Sequence, residues 1–221
     1  MALPQPVTAP SPAWIDLGRF EATPLVTQPF SYLIVPGFVS AESCRRINAD
    51  YPPIKKRGSF SLDTLTYGPA FSQLLDDLRG DAFRAAVEQK FGISLAGRPT
   101  MITVRGMSGG RRDGHIHTDT ENKIITLLLY MNDSWDNDGG RLRLLNSPRL
   151  DDVAAEVPPE AGTLLAFKRS DNSWHGHKPF TGERKVIQMN WVTDQGFADR
   201  NHARHRWSAL LKKLNPFGQD Y

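Results

Sequence analysis

Four of the six histidines in this 221-residue chain stand in two pairs, His115 with His117 and His175 with His177. A carboxylate, Asp119, follows the first pair. Residues two apart on a strand share a face, so His117 and Asp119 can point the same way. His175 stands 175 − 117 = 58 residues later, enough chain for the intervening strands to fold back beside them. Imidazole and carboxylate groups gathered in this way predict a site for a divalent metal.

Two histidines and one carboxylate on one side of a metal leave the opposite positions open, which is the facial triad of non-haem iron(II) oxygenases. His-x-Asp alone is common by chance, but the residues after His175 strengthen the interpretation. Pro179, Gly182 and Arg184 follow that histidine at four, seven and nine residues. The Arg184 guanidinium, opening a strand predicted over 185–192, can pair bidentately with a carboxylate and keeps its charge. It predicts an anchor for the far end of a dicarboxylate that chelates the metal.

The elements that would position these residues begin after Pro99. From there to Val192, short runs of strand type alternate with turns rich in Gly, Pro and Asn. Evenly spaced short strands of this kind are typical of an antiparallel sandwich or barrel. The predicted strands cover residues 101–107, 115–119, 124–131, 141–145, 162–168 and 185–192.

Helices are predicted for much of the first half of the chain, after a short apolar strand at 31–36. Ser40 is a suitable N-cap for a first helix that must end before Pro52. A third helix ends at Gly92, a residue that favours helix termini. The second helix lies between them and is predicted from apolar residues at helical spacing, namely Phe71, Leu74, Leu75 and Leu78.

The chain therefore divides into four parts within one α+β domain. Prolines at 4, 6, 10, 12 and 24 make residues 1–24 a predicted tail, because proline is excluded from helix interiors and central strands. Residues 25–98 are the helical N-terminal part, and residues 99–193 are the β core. Residues 194–221 are a C-terminal helix and tail, predicted from Trp207, Leu210, Leu211 and Leu214.

The composition, 39% hydrophobic and 23% charged, suits a globular domain and excludes several other classes. No apolar run is long enough for a transmembrane helix, and the N-terminus lacks the pattern of a secretory signal. Cys44 is the only cysteine and cannot form an internal disulfide, so we expect a cytoplasmic protein. The net charge of +3 is spread along the chain, so we expect no nucleic-acid partner. The oligomeric state is left open.

Five segments occur in a characteristic order between residues 99 and 193. They are His117-Thr-Asp119, Leu129-Tyr130-Met-Asn132, Gly139-Gly140, Pro159-Glu-Ala-Gly162 and His175-x-x-x-Pro179-x-x-Gly182-x-Arg184. Together they resemble the 2-oxoglutarate- and Fe(II)-dependent dioxygenases, and most closely the prolyl-4-hydroxylase-like branch. The resemblance implies a double-stranded β-helix, a jelly-roll or cupin-like barrel, buttressed by the N-terminal helices and a C-terminal helix.

The resemblance also implies roles for individual residues. His117, Asp119 and His175 would be the catalytic iron ligands. Arg184 would hold the distal carboxylate of 2-oxoglutarate, with the Tyr130 hydroxyl as its helper. The implied reaction uses O2 to hydroxylate an unactivated C–H bond of an unidentified small-molecule or peptidyl substrate, releasing succinate and CO2, with ascorbate as a candidate reductant. Halogenating members carry a small residue in place of this carboxylate, so Asp119 favours hydroxylation.

Some residues depart from the family pattern. The branch often carries a tyrosine shortly before the first iron histidine, where this chain has Arg105-Gly-Met107. His177 lacks the family spacing, so the ligand is assigned to His175. The roles of His177 and His115 stay open.

Two alternatives to an oxygenase remain at this stage. The pattern His115-x-His117-x-x-x-Glu121 is also the first half of a cupin metal motif. That motif needs a glycine where Leu128 stands, and a second Pro-x-Gly-x-x-His segment that the sequence lacks. The other alternative is a barrel that binds metal or 2-oxoglutarate without catalysis.

The substrate side of the site is less defined by the sequence. Residues 54–68 are basic, polar and predicted to be a loop, which is where a lid over the site could lie. Arg105, Arg141 and Arg143 are candidates to meet an anionic substrate. Each could equally be ordinary charge at the rim of the barrel.

Overall fold

The computed structural model describes residues 13–109 and 113–200, which form two antiparallel sheets with helices packed on one of them. The larger sheet has six strands in the order β1-β7-β4-β9-β3-β2, and the smaller has three in the order β6-β5-β8. The two sheets are not joined into a closed barrel. The strands are β1 Tyr32–Val35, β2 Phe60–Ser61, β3 Thr100–Ser108, β4 Lys123–Tyr130, β5 Leu142–Leu145, β6 Val153–Val157, β7 Leu164–Lys168, β8 His175–Gly176 and β9 Gly182–Val192.

Four helices precede the long strands: α1 Leu17–Ala22, α2 Ala41–Ala49, α3 Pro69–Arg79 and α4 Asp81–Phe91. The cap predicted for α2 is confirmed, because the Ser40 hydroxyl accepts a hydrogen bond from the Ser43 amide at 3.1 Å. α4 ends at Gly92, whose φ of 61° is the left-handed conformation that glycine adopts without a steric cost. No helix in the described part of the chain is long and apolar enough to cross a membrane.

Each face of the six-stranded sheet packs against a different layer. Alternate residues of the central strands, such as Val104, Leu127 and Met189, point toward the helices and form the main core with them. The residues between them point toward the smaller sheet, where Tyr130 and Val186 join a second apolar cluster. The helices thus support one face of the large sheet and leave the opposite face for the space between the sheets.

β9 lies between β3 and β4 and sets the register of the site. Val186 is opposite Tyr130 on β4 and opposite Arg105 on β3. Two residues away on the same face of β9, Gln188 is opposite Leu128 and Thr103. Inward-facing side chains of three strands therefore meet in one row between the sheets.

Residues 1–24 were predicted to be a tail, draped on the body or disordered, and the exclusion of a helix from it is wrong for residues 17–22. Trp14 and Ile15 are buried, and α1 places Phe20 in the main core. The reason is local: no proline lies between Pro12 and Pro24, so nothing prevents a helical turn there. The Asp16 carboxylate caps that turn by accepting from the Arg19 amide at 2.8 Å.

Other predictions about the elements need correction as well. Residues 115–119 do not form a strand, because only His117 pairs, in an isolated bridge to His175. Part of the predicted loop 54–68 forms β2 and a 3-10 turn at Leu62–Thr64. The strands β6 and β8 were not predicted, since β6 lacks an apolar alternation and β8 has only two residues. Residues 195–200 are helical, and the apolar set around Trp207 lies outside the described residues.

Replacing Phe20 with alanine tests whether the N-terminal segment belongs to the core. Its fully buried ring packs edge-on against Phe83 with centroids 5.3 Å apart. We expect Phe20→Ala to lower the free energy of unfolding by about 3–5 kcal/mol, as measured by urea denaturation. The exposed neighbour Glu21 provides the matched control, Glu21→Ala. A loss of less than about 1 kcal/mol in Phe20→Ala would mean that this segment does not contribute to the core.

Candidate active site

Four of the five predicted site residues line a cavity between the two sheets. The cavity measures about 250 Å³, which is near the small end of ligand pockets. His117, Asp119, His175 and Arg184 all line it. The backbone between His117 and Asp119 leads from the edge of the smaller sheet toward β4 of the larger one, so the site lies where the chain passes between sheets.

His117, Asp119 and His175 form a group that could hold a metal ion. One donor atom from each residue lies within 4.8 Å of the other two. The two histidines are brought together by reciprocal backbone hydrogen bonds of 3.0 Å, from each amide to the other's carbonyl. Their rings are 4.3 Å apart between centroids, which places two imidazoles on one side of the group.

Each histidine in the group has its ring orientation fixed by a backbone carbonyl. Nδ1 of His117 donates to the carbonyl of His115, and Nδ1 of His175 donates to that of Ser173, both at 2.9 Å. A proton on Nδ1 leaves the Nε2 lone pair for a metal. Burial, with a smaller contribution from His117, lowers the pKa of His175 to about 4, although Asp119 opposes this shift. His175 is therefore a neutral imidazole at physiological pH, the form that binds a metal.

Asp119 is held at both carboxylate oxygens. Lys123 donates to Oδ1 at 2.5 Å and the Thr126 hydroxyl donates to Oδ2 at 2.5 Å. The Thr126 oxygen in turn accepts a hydrogen bond from the Asn190 amide at 2.7 Å, which directs its proton toward Asp119. Burial would raise the pKa of Asp119, but Lys123, His175 and Thr126 outweigh it and lower the pKa. The carboxylate is therefore ionised as well as fixed.

Arg184 is a buried cation that lines the same cavity. Its side chain is 5% exposed, and Nε donates to the carbonyl of Gly140 at 3.0 Å. Within residues 13–109 and 113–200, no carboxylate forms an ion pair with it. Burial lowers the pKa of Arg184, and the nearby Tyr130 hydroxyl partly offsets the shift. A buried guanidinium without a carboxylate partner is a costly arrangement that an anionic ligand would relieve.

Tyr130 contributes a second unsatisfied group at the same place. Its hydroxyl oxygen is buried and has no hydrogen-bond partner among the described residues. The Arg184 guanidinium lies 5.5 Å from the centroid of its ring. A hydroxyl donor and a guanidinium together fit a carboxylate, while the three-residue group fits a divalent metal. The donor set thus suits a dicarboxylate that spans from the metal group to Arg184.

Comparison with known proteins decides the family. Residues 103–193 match the model of the 2OG-Fe(II) oxygenase superfamily, and this range contains all five predicted site residues. Residues 103–193 are a 2OG-Fe(II) oxygenase domain. None of the curated proteins compared matches the chain.

Solved structures with a similar fold include prolyl hydroxylases. The 2-oxoglutarate complex of the viral collagen prolyl hydroxylase from Paramecium Bursaria Chlorella virus-1 is 17% identical, with a TM-score of 0.51, over 73% of this chain and 96% of that one. A Pseudomonas putida prolyl-4-hydroxylase is 21% identical, with a TM-score of 0.49, over 80% of this chain and 90% of that one. The likeness to the viral enzyme shows the double-stranded β-helix fold of the oxygenases. The matched family uses 2-oxoglutarate and Fe(II), and the group of His117, Asp119 and His175 within the matched residues fits such a metal.

The other segments of the sequence motif support the oxygenase site from outside the cavity. The side chain of Asn132 links two loops, donating to the carbonyl of Pro159 at 2.6 Å and accepting from the amide of Lys185 at 2.6 Å. Lys185 follows Arg184, so this link fixes the start of β9. Gly139 passes so close to the Pro179 carbonyl that a Cβ would clash with it. These contacts hold the loop that supplies the acceptor for Arg184.

The histidines left open by the sequence occupy different surroundings. His115 is exposed and contributes its carbonyl to the orientation of His117. His177 is buried and lines the cavity, with Nδ1 donating to the Lys178 carbonyl at 2.8 Å. Burial and then Arg184 lower the pKa of His177 to about 4, so it is neutral. Neither His115 nor Glu121 joins the metal-binding group, so the cupin alternative has no support in the described residues.

The three arginines that were candidates to bind an anionic substrate differ in their position relative to the cavity. Arg105 lines the cavity and pairs with Asp113 at 2.7 Å. Arg143 and Arg141 lie outside the cavity and both pair with Glu156, at 2.8 and 3.7 Å. Only Arg105 of the three reaches the interior of this oxygenase.

Sequence reasoning missed the residues that hold Asp119. Lys123, Thr126 and Asn190 come from two strands, and only the register of β4 with β9 brings Thr126 opposite Asn190. Thr126 and Asn190 were nevertheless visible as polar residues inside otherwise apolar strands. A buried polar residue of this kind indicates a partner, because burial without a hydrogen bond is costly.

Removing the Thr126 hydroxyl tests its hold on the candidate ligand. Thr126→Val keeps the shape of the side chain but leaves Asp119 Oδ2 without its donor. We expect the Kd for Mn(II) to rise about 10- to 100-fold, measured by titration of metal-free protein. Thr103→Val is the control, since Thr103 lines the same cavity without contacting a candidate ligand. Equal affinities in the two variants would show that Thr126 does not position the carboxylate.

Proposed function

We propose that this oxygenase hydroxylates an unactivated C–H bond of a substrate that enters the cavity between the sheets. His117, Asp119 and His175 hold Fe(II), while Arg184 and the Tyr130 hydroxyl hold the distal carboxylate of 2-oxoglutarate. The observation that carries the proposal is the placement of a buried, carboxylate-free Arg184 in the same cavity as the three-residue group. The metal group would then bind one part of 2-oxoglutarate, and Arg184 would bind its distal carboxylate.

When bound, the metal and 2-oxoglutarate would supply the oxidising chemistry, in which 2-oxoglutarate, O2 and a C–H bond give succinate, CO2 and a C–OH group, with one oxygen atom of O2 in succinate and the other in the hydroxyl. The protein contributes position. The carbonyls of His115 and Ser173 keep both Nε2 atoms turned toward the metal position. Thr126 and Lys123 keep Asp119 ionised and fixed. Such support limits the freedom of the ligands and leaves the remaining metal positions for the co-substrate and O2.

Three apolar side chains contribute to the walls of the cavity. Leu128 on β4, Leu142 on β5 and Val186 on β9 line it between the metal group and Arg184. In such a low-dielectric surrounding, an ion pair between a carboxylate and Arg184 is stronger than in water. The same apolar walls orient the chain of the dicarboxylate, so that its keto end faces the metal ligands.

Anaerobic titration tests the proposal directly. Metal-free protein supplied with Fe(II) and 2-oxoglutarate should develop the visible charge-transfer band of the chelated co-substrate. Arg184→Met should weaken 2-oxoglutarate binding by roughly 100-fold or more, because one partner of a buried charge pair is worth about 3–5 kcal/mol. Arg143→Met, which removes a guanidinium outside the cavity, is the control. A folded, iron-loaded protein without the band would rule the proposal out.

Removing the Tyr130 hydroxyl should have opposite effects on the stability of the protein and on its affinity for 2-oxoglutarate. Tyr130→Phe removes a buried hydroxyl that has no partner, so the unfolding free energy without ligand should stay equal or rise by about 1 kcal/mol. The affinity for 2-oxoglutarate should fall about tenfold, the equivalent of one lost hydrogen bond to a charged group. Denaturation without ligand and titration of the Fe(II)-loaded variant measure the two effects. Unchanged 2-oxoglutarate affinity would remove Tyr130 from the site.

A further inference from the structure

The charged side chains of the cavity do not balance once the site is loaded. Its lining includes three cations, Arg105, Lys123 and Arg184, and two carboxylates, Asp113 and Asp119. Counting the imidazoles as neutral, the lining residues within 13–109 and 113–200 carry 3 − 2 = +1. A metal dication and a 2-oxoglutarate dianion add charges that cancel, so the loaded cavity keeps one positive charge in excess.

The position of the excess charge changes when the site is loaded. In the protein alone, Arg105 pairs with Asp113 and Lys123 pairs with Asp119, which leaves Arg184 without a carboxylate. The distal carboxylate of 2-oxoglutarate then supplies a partner for Arg184. Asp119 and the other carboxylate of the co-substrate neutralise the metal. The single negative charge of Asp119 cannot neutralise both the metal and Lys123. In the loaded site, Lys123 is therefore the cation that lacks a full counter-charge.

The surroundings of Lys123 are suited to a polar ligand. Lys123 lines the cavity, and its side chain is 17% exposed. Thr103 and Gln188, which face each other across β3 and β9, present a hydroxyl and an amide to the same cavity. Gln188 uses its amide nitrogen to donate to Asn190 at 3.2 Å, so its side-chain oxygen is available as an acceptor. The part of the cavity left for substrate is therefore cationic and rich in hydrogen-bonding groups.

We propose that Lys123 is a specificity-determining residue that binds a carboxylate of the substrate in the loaded site. This inference rests on the proposed function and names the chemical class of its substrate. The substrate is a carboxylic acid whose carboxylate enters the part of the cavity that the co-substrate leaves. When Asp119 neutralises part of the charge of the metal, Lys123 loses part of its counter-charge. A carboxylate of the substrate then supplies the missing counter-charge. A neutral analogue would leave the ammonium without a counter-charge in a partly buried place, which is unfavourable.

The first test measures the charge conflict between Lys123 and the metal. Lys123→Met should bind Mn(II) more tightly than the parent protein, by roughly tenfold, because a positive charge beside the ligand is removed. Lys185→Met, which removes an ammonium paired with Glu183 outside the cavity, should leave the Kd unchanged. Weaker Mn(II) binding by Lys123→Met would mean that Lys123 only orients Asp119, and would overturn the proposal.

The second test measures the preference for an anion. Anaerobic protein carrying Fe(II) and 2-oxoglutarate is titrated with matched pairs of small carboxylic acids and their primary amides, with a shift of the charge-transfer band as the readout. Acids should bind about 10- to 100-fold more tightly than their amides. The preference should persist in Lys123→Arg and disappear in Lys123→Met.

The outcomes separate this inference from the proposed function. Absence of the band before any acid is added contradicts the proposed function itself. A normal band with no acid that binds more tightly than its amide, or with an acid preference that survives in Lys123→Met, contradicts only the role of Lys123. An acid preference lost in Lys123→Met and kept in Lys185→Met supports it.

Discussion

The reciprocal backbone hydrogen bonds between His117 and His175 are the interaction on which the site depends. They connect two segments 58 residues apart, one from β8 of the small sheet and one that leads into β4 of the large sheet. With this bridge in place, the imidazoles face each other and Asp119 is carried into the space between the sheets. The metal-binding group is thus a consequence of how the chain crosses from one sheet to the other, and any shift of that crossing would separate its members.

The second constraint is the charge held in the interior. Burying Arg184, Lys123 and Asp119 in one small cavity is expensive, and the protein offsets the cost only in part. Lys123 and Asp119 satisfy each other, while Arg184 has a single carbonyl partner and a nearby phenol. The incomplete satisfaction is what prepares the cavity for a metal and a dianion, since each incoming ion finds groups of opposite charge already in place. Binding of the metal and the dianion relieves the unfavourable burial of these charges, and this relief contributes to the binding affinity.

The sequence was informative where chemistry follows from spacing along the chain. The ligands and Arg184 are recognisable because the motif fixes residue types at set intervals, and the helices because their apolar residues recur at a helical period. The prediction of a strand at 115–119 is wrong because the alternation of His115, His117 and Asp119 reflects the placement of ligands and not pairing in a sheet. Asn190 could not be assigned without the register of β4 and β9, which joins residues distant in sequence. The helix at residues 17–22 was not predicted, although no proline lies between Pro12 and Pro24 to prevent it.

The most direct test of the account is a crystal structure grown without oxygen in the presence of Fe(II) and 2-oxoglutarate, with iron located by anomalous scattering. The account predicts one iron peak bound by His117, Asp119 and His175, and a co-substrate whose distal carboxylate contacts Arg184 and the Tyr130 hydroxyl. Iron bound by a different set of residues, or a distal carboxylate turned away from Arg184 toward Arg105, would contradict the central claim.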